Sequence, residues 1–237
     1  MNKKLSPARL LFILAFFACA AIVYVWIVFS NTEAEILAGN IRYSHECGWI
    51  TQDHAIPDGP RQLLRTIYQQ NATRKDSFDI TYRQTMKYSF LGKRLIAEAA
   101  STYRLATGMS KEQTDAATLL ILMDVSEQFE DMQGSFPYKL ISEGSSFRKG
   151  DLTGNLLAYY KALYSEPPDT VTSSLTWQAP DAALHRWQHE SSQKQERFIP
   201  IQKDSLSRCF LWSLVAQAQS LNLSPKLINR KRDLYFE

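Results

Sequence analysis

Two kinds of side chain in this sequence have the chemistry to work together: carboxylates in a strongly apolar helical segment, and a histidine in a polar loop. Asp124, Glu127 and Asp131 are spaced i, i+3 and i+7, so they share one face of a helix. His54 lies in the loop beside Asp53. Imidazole and carboxylate groups are common ligands and proton-transfer groups in metal-assisted hydrolysis. One hypothesis is therefore a hydrolytic site in which His54 and Asp124 bind a divalent metal, with Asp124 or Glu127 as the catalytic base.

Asp124 is notable because it lies within an apolar helical segment. The segment TLLILMDV, from Thr118 to Val125, is apolar on every face of a helix, and such a helix is surrounded by protein. A carboxylate buried there costs several kcal/mol unless it is paired, metal-bound or protonated. A salt bridge, or a hydrogen bond to a neighbouring loop, is a simpler explanation of Asp124 than catalysis.

A second pair of histidines has the spacing of a chelating motif. His185 and His189 stand four residues apart on one face of a predicted helix. Metalloprotease helices carry H-E-x-x-H, whereas Arg-Trp-Gln separates these two histidines. A solvated helix face is the simpler interpretation.

Charge and motif content exclude several classes of function. All 24 acidic residues and all but three of the 27 basic residues follow Ser30, so the region after it is formally balanced. Nucleic-acid binding needs an excess of Lys and Arg on one face, and the basic cluster at 229–232 reads as a solvated end. The sequence has no nucleophile elbow, phosphate-binding glycine loop, dinucleotide fingerprint or CxxC motif. We predict no nucleic-acid partner and none of the commonest enzyme classes.

An uninterrupted apolar run from Leu10 to Phe29 has the length of a membrane-spanning helix, about 20 residues. Basic residues precede the run and acidic residues follow it. The positive-inside bias therefore predicts a cytoplasmic tail at 1–9, a span at 10–30 and an extracytoplasmic domain at 31–237. A cleaved secretion signal is the alternative, but its apolar core would have only about 7–15 residues.

Two cysteines, Cys47 and Cys209, fall in the predicted extracytoplasmic domain. Disulfides form and persist in oxidising compartments. We predict that the two cysteines form a disulfide that ties the start of the domain to its last helical segment. Two separately buried thiols remain the alternative, because the sequence does not supply the distance between them.

The spacing of apolar residues and the turn residues predict one compact, mainly α domain. The alternating apolar residues of 78–90 predict a strand or a small hairpin, so we expect at most a small β element. The predicted helices are 31–39, 58–70, 93–106, 110–132, 151–164, 180–195 and 204–221.

Short motifs in two segments carry a resemblance to a known family. In 43–68, Gly48-Trp49-Ile50 followed by His54 is similar to a Gly-aromatic-Ile-Asp-x-x-His pattern, with Thr51 where the pattern has its acid. In 122–164 the matching residues are Asp124-Val125-Ser126, Phe129-Glu130, Ser146-Phe147, Asp151-Leu152 and Asn155. These motifs resemble an uncharacterised bacterial envelope family, a domain of unknown function in membrane- or lipid-anchored proteins. The resemblance implies an envelope location and no particular chemistry, and Thr51 implies that a metal site of the family would be lost here.

We predict a single-pass protein of the bacterial inner membrane, with its N-terminus inside and its bulk in the periplasm. Its outer domain is predicted to be a binding, interaction or structural module for another envelope protein or for the cell wall. The alternative is a metal-assisted hydrolase that acts in the envelope, with the cell wall as a candidate substrate. A divalent metal bound by His54 and Asp124 would then be its cofactor.

Overall fold

The structure is a computed structural model that describes residues 33–73, 75–90, 93–138, 150–164, 175–191, 209–221, 223 and 225–236. Residues 33–37 are helical. The elements that follow are β1 (Ile41–Ser44), β2 (Gly48–Thr51), a 3-10 helix (Gln52–Ala55), α1 (Asp58–Asn71), β3 (Ser77–Phe90), β4 (Lys93–Ala106), α2 (Lys111–Gln133), α3 (Asp151–Tyr164), α4 (Pro180–Ser191), α5 (Phe210–Ser220) and β5 (Lys226–Phe236).

A three-stranded antiparallel sheet in the order β3–β4–β5 forms one layer of the described structure. β3 and β4 are a long hairpin whose register runs from Ser77 opposite Ala106 to Phe90 opposite Lys93. β4 is the central strand, and its alternate residues from Leu95 to Leu105 are all buried. The sheet therefore presents one apolar face, which needs a covering layer.

Helix α2 supplies that layer and is the central helix of the core, as its apolar middle segment predicts. It packs against β3 and β4 and against α1, α3 and α5. Ile121, Leu122 and Val125 are completely buried. Ser110 and Gln113 form a capping box, in which the two residues bond reciprocally at the start of the helix.

A second, two-stranded antiparallel sheet, β1–β2, packs through β2 against α3 and the 3-10 helix. α4 packs on this hairpin through Trp187, whose ring meets Trp49 edge to face at 5.3 Å. Cys47, in the hairpin turn, forms a disulfide with Cys209 at the start of α5, with 4.6 Å between their Cα atoms. The bridge rather than two separate thiols is therefore present, and it ties the hairpin to the helical core.

The prediction of a mainly α domain with at most a small β element is wrong, because the described residues form a mixed α/β structure with two antiparallel sheets. The main error is segment 93–106, which was predicted as a helix and is strand β4. Its small residues Ala97 and Ala99 let α2 approach closely through Phe129 and Met132. The backbone of β4 pairs on both sides, and this non-local pairing overrides the helix propensity of alanine and leucine.

The prediction of a single-pass chain also needs correction. Within the described ranges, no helix is both long enough and apolar enough to cross a bilayer. The predicted tail at 1–9 and the predicted span at 10–30 lie outside the described residues. The basic cluster at 229–232, interpreted as a loose solvated end, belongs to strand β5.

Candidate metal centre

His54, Glu130 and Asp151 meet in one compact cluster. Each offers one ligand-type atom, and these three atoms all lie within 4.8 Å of one another. The residues come from three separate elements: the 3-10 helix, the last part of α2, and the first turn of α3. Glu130 is 1% exposed and Asp151 is 3% exposed, whereas the His54 side chain is 27% exposed. The cluster is thus a pair of buried carboxylates beside a partly accessible imidazole.

Two glycines allow α3 to lie directly against the segment that carries His54. A Cβ atom on Gly150 would come within 2.8 Å of backbone atoms of Trp49 and Ile50, and Gly150 has a φ of +105°. A Cβ atom on Gly154 would lie 2.6 Å from the carbonyl oxygen of Thr51 and 2.8 Å from Cβ of His54. Only glycine fits this approach, which places the first turn of α3 beside His54.

The 3-10 helix that carries His54 is held by α3 at both of its ends. At one end the Thr51 amide donates to the Gly150 carbonyl at 3.2 Å. At the other end the Lys161 ammonium, which is 8% exposed, donates to the carbonyl of Ala55 at 3.1 Å. Burial lowers the pKa of Lys161. His54 is therefore positioned by backbone contacts and one buried cation.

Both ring nitrogens of His54 face a polar side chain of α3. Nε2 lies 3.9 Å from Oδ1 of Asp151, and Nδ1 lies 3.4 Å from the side-chain nitrogen of Asn155. If Nε2 binds a metal, Nδ1 carries the proton and donates to the Asn155 amide oxygen, which rotation of the amide would present. Asn155 is thus placed to set the tautomer and orientation of His54.

The donor set of the cluster fits a divalent cation. Imidazole nitrogen and carboxylate oxygen are both ligand types that zinc accepts, and carboxylate oxygens also suit manganese. Two buried carboxylates so close together repel each other when ionised, and a cation between them removes that repulsion. Glu130, Asp151 and His54 would hold the ion, with Asn155 orienting His54.

Asp124, the residue predicted as metal ligand and catalytic group, is paired elsewhere. Both of its oxygens accept from the Arg230 guanidinium of β5, at 2.7 and 2.8 Å, and one accepts from the Tyr103 hydroxyl. Asp124 and Glu130 are six residues apart on α2, so they lie about 120° apart around the helix axis. The structure therefore brings His54 together with Glu130 rather than with Asp124, and the salt-bridge explanation of Asp124 applies.

Glu127 and Asp131 continue the acidic face of α2 and do not belong to the cluster. Partial desolvation raises the pKa of Glu127, and the like charges of Asp124 and Asp131 raise it further, while Arg230 opposes them. The side chain of Glu127 is exposed. Asp124, Glu127 and Asp131 thus share one face of α2, as predicted, and the negative charge of Asp124 is paired with Arg230.

The remaining candidates from the sequence lie away from the cluster. Asp53 is exposed. His185 and His189 are exposed on α4, as a solvated helix face requires. Among the described residues, only His54, Glu130 and Asp151 bring three ligand groups within such a distance of one another.

Sequence reasoning missed Glu130 and Asp151 as ligands, although a signal for them was present. His54, Glu130, Asp151 and Asn155 all belong to the short motifs that carry the family resemblance. In the sequence, Glu130 and Asp151 are noted only within these motifs, and neither of them is assigned a ligand role. The convergence of these motif residues at one point is visible only in the tertiary structure.

Comparison with known proteins yields no match: no family model, no curated protein and no solved structure matches the chain. The resemblance to a bacterial envelope family therefore stays a prediction.

Replacing Asp124 by alanine is expected to lower the free energy of unfolding by about 1–3 kcal/mol. The substitution leaves the Tyr103 hydroxyl without its acceptor, which costs about 1–3 kcal/mol, whereas an ion pair as exposed as this one contributes little. The side chains of Asp124 and Arg230 are 36% and 47% exposed, so the loss of 3–5 kcal/mol typical of a fully buried pair does not apply. Urea unfolding of both proteins measures the change, and a loss of about 4 kcal/mol or more would contradict this assignment.

Replacing Gly154 by alanine is expected to destabilise the fold by about 1–3 kcal/mol, the usual cost of overpacking. Elsewhere within a helix the same change stabilises by up to about 1 kcal/mol. The matched control is Gly59→Ala in α1, where the new Cβ atom would meet only the end of the Tyr82 side chain, at 3.3 Å. Urea unfolding compares the two variants, and equal stabilities would show that α3 does not lie against His54 as described.

Proposed function

We propose that this chain is an extracytoplasmic hydrolase that depends on a divalent cation held by His54, Glu130 and Asp151. The observation that carries the proposal is the convergence of the three ligand groups, from three separate elements, within 4.8 Å. Both carboxylates are buried, so the ligand groups lie in a site of low polarity, where attraction between a carboxylate and a cation is strong. The partial exposure of His54 supports access for water and a substrate from that side.

Each residue of the proposed site has a separate role. Glu130 and Asp151 supply negative charge, His54 supplies a neutral nitrogen ligand, and Asn155 orients the imidazole ring. Held by His54, Glu130 and Asp151, a divalent cation would supply Lewis-acid chemistry, which activates a water molecule and polarises a carbonyl or phosphoryl group. Lys161 and the glycine contacts of α3 keep the ligands in place without touching the reacting groups.

The location that we propose is the bacterial periplasm. The disulfide between Cys47 and Cys209 supports an oxidising compartment, where such bridges persist. The family resemblance also points to the envelope, and the cell wall is the substrate that we would test first.

The first experiment asks whether the full-length protein binds a cation. Chelator-treated protein is titrated with ZnCl₂ and, separately, with MnCl₂, by calorimetry and thermal unfolding. One ion per chain is expected, with stabilisation of about 2.7 kcal/mol at a free concentration of one hundred times Kd. An unchanged unfolding temperature and no binding heat with either ion would overturn the proposal.

The second experiment asks whether the bound ion supports hydrolysis. Release of dye from fluorescently labelled cell-wall sacculi is followed with the metal-loaded protein, with the chelated protein and with the Glu130→Gln variant. Metal-dependent release that is lost in the variant is expected. Metal binding without release from sacculi would restrict the site to a structural cation and would overturn the hydrolase.

A second candidate function, an interaction module without catalysis, is favoured by a different observation. Every residue of strand β5 is exposed, at one edge of the described three-stranded sheet. This surface is independent of the metal site.

A further inference from the structure

Strand β5 is a long edge strand that the rest of the described structure leaves accessible. All eleven of its residues, Lys226–Phe236, are exposed. Among the described strands it pairs with β4 alone. The outer edge of such a strand presents backbone N–H and C=O groups that can pair with another strand.

The side chains of β5 are arranged in three blocks. Apolar residues Leu227 and Ile228 stand at one end, and Leu234, Tyr235 and Phe236 stand at the other; all five are between 38% and 59% exposed. The middle block is basic, Arg230-Lys231-Arg232. An edge strand with large apolar groups at both ends and a mainly basic centre, in which Asp233 is the one acidic residue, has the features of a binding surface.

Side chains of α2 hold β5 in place in the absence of a partner. The Arg230 guanidinium bonds both oxygens of Asp124, and the Gln128 side chain donates to the carbonyl of Lys231 at 3.3 Å. Because successive side chains of a strand point to opposite faces, Lys231 points away from the face where Arg230 meets α2. A strand fixed in this way loses little conformational freedom when another strand is added.

The charge of β5 discriminates between two binding partners, a second copy of this chain and an acidic segment of another protein. The strand carries four basic residues and one acidic residue, Asp233. If a second copy paired antiparallel about Lys231, Arg230 of one chain would face Arg232 of the other, and like charges directly opposite are unfavourable. An extended segment with acidic residues between apolar ends instead meets opposite charge at the centre and apolar contact at both ends.

We propose that β5 is a docking edge for an acidic, extended segment of a partner protein, which adds to the sheet as a fourth strand beside β5. Backbone hydrogen bonds provide the binding, and the basic block selects the charge of the partner. This interaction does not depend on the metal centre.

The experiment uses the full-length protein and a fluorescein-labelled synthetic peptide of ten residues. The peptide consists of three valines, followed by four glutamates and three leucines. Fluorescence anisotropy is expected to show saturable binding that weakens as salt is raised. A peptide with lysines in place of the glutamates, and one with alternate backbone nitrogens methylated, are each expected to bind at least tenfold more weakly. Equal binding of the lysine peptide would overturn the charge selection, and equal binding of the methylated peptide would overturn strand addition.

Matched variants locate the interaction. Lys231→Glu is expected to weaken binding of the glutamate peptide about tenfold, because it places like charges opposite each other. Lys87→Glu changes an exposed lysine on β3, at the other edge of the same sheet, and is expected to change the affinity less than twofold. Equal effects of the two variants would overturn docking at β5. Concentration-dependent dimers in sedimentation that the Lys231→Glu variant strengthens would assign the edge to a second copy instead.

Discussion

Replacing Asp151 by asparagine is expected to lower the affinity of the protein for Zn²⁺ by about 100-fold or more. Changing a residue that only supports a ligand already costs about 10–100-fold, and Asp151 would be a ligand itself. The substitution keeps the size of the side chain and removes one of the two buried carboxylates. Thermal unfolding of the metal-free variant, compared with that of the metal-free original protein, checks that the substitution leaves the fold intact.

Calorimetric titration of the chelated proteins with ZnCl₂ measures this effect. The control is Asp124→Asn, which changes a carboxylate on α2 that is bound by Arg230 and lies outside the cluster. This control is expected to keep the original affinity. If Asp124→Asn weakened Zn²⁺ binding as much as Asp151→Asn did, the metal would lie where the sequence analysis placed it and the centre described above would be wrong.

Removing the disulfide by changing Cys47 and Cys209 to serine is expected to lower the free energy of unfolding by about 2–5 kcal/mol. The bridge joins residues 162 positions apart, and a crosslink that closes so long a loop restricts the unfolded chain strongly. Cys209 is also 2% exposed, so the variant places a polar hydroxyl in the core. The expected loss is a large part of the stability of a typical domain.

Unfolding in urea, with and without dithiothreitol, separates the two contributions. Reduction of the original protein removes the crosslink alone, whereas the serine variant also changes the buried atoms. Cys19→Ser is the control, because Cys19 is not part of the bridge, and it is expected to leave the transition unchanged in both conditions. A protein whose unfolding is insensitive to dithiothreitol and to the double substitution would contradict the bridge and would remove the main support for an oxidising compartment.

The helices whose signals are local could be predicted from the sequence. The start and end of α2 follow from the capping box at Ser110 and from Gly134, and α3 follows from Asp151 and its apolar stripe. The prediction for α1, 58–70, differs from the observed helix by one residue. These features depend on interactions between residues within one or two helical turns of each other. Such local interactions can be recognised from the spacing of residues in the sequence.

The sheet could not be predicted in the same way. Alternating residues of 78–90 correctly indicated β3, but β4 contains enough alanine and leucine to resemble a helix. What makes it a strand is pairing with β3 on one side and with β5, more than 120 residues further along, on the other. Such pairing is a property of the assembled sheet and is not encoded in the local pattern.

The candidate site shows the same division. The sequence alone predicts His54 as a ligand and α2 as the helix that brings a carboxylate to it, and the structure places Glu130 of α2 near His54. Which carboxylate faces His54 depends on the rotation of α2, and this is set by the packing of the helix on the sheet and by the pairing of Asp124 with Arg230. The position of Asp151 beside His54 depends on the close contact of Gly150 and Gly154 with β2 and the 3-10 helix. Residue types and local spacing thus determined the chemistry available to this protein, whereas the tertiary structure alone decided which groups meet, because helix rotation and close backbone approach are fixed by contacts between distant segments.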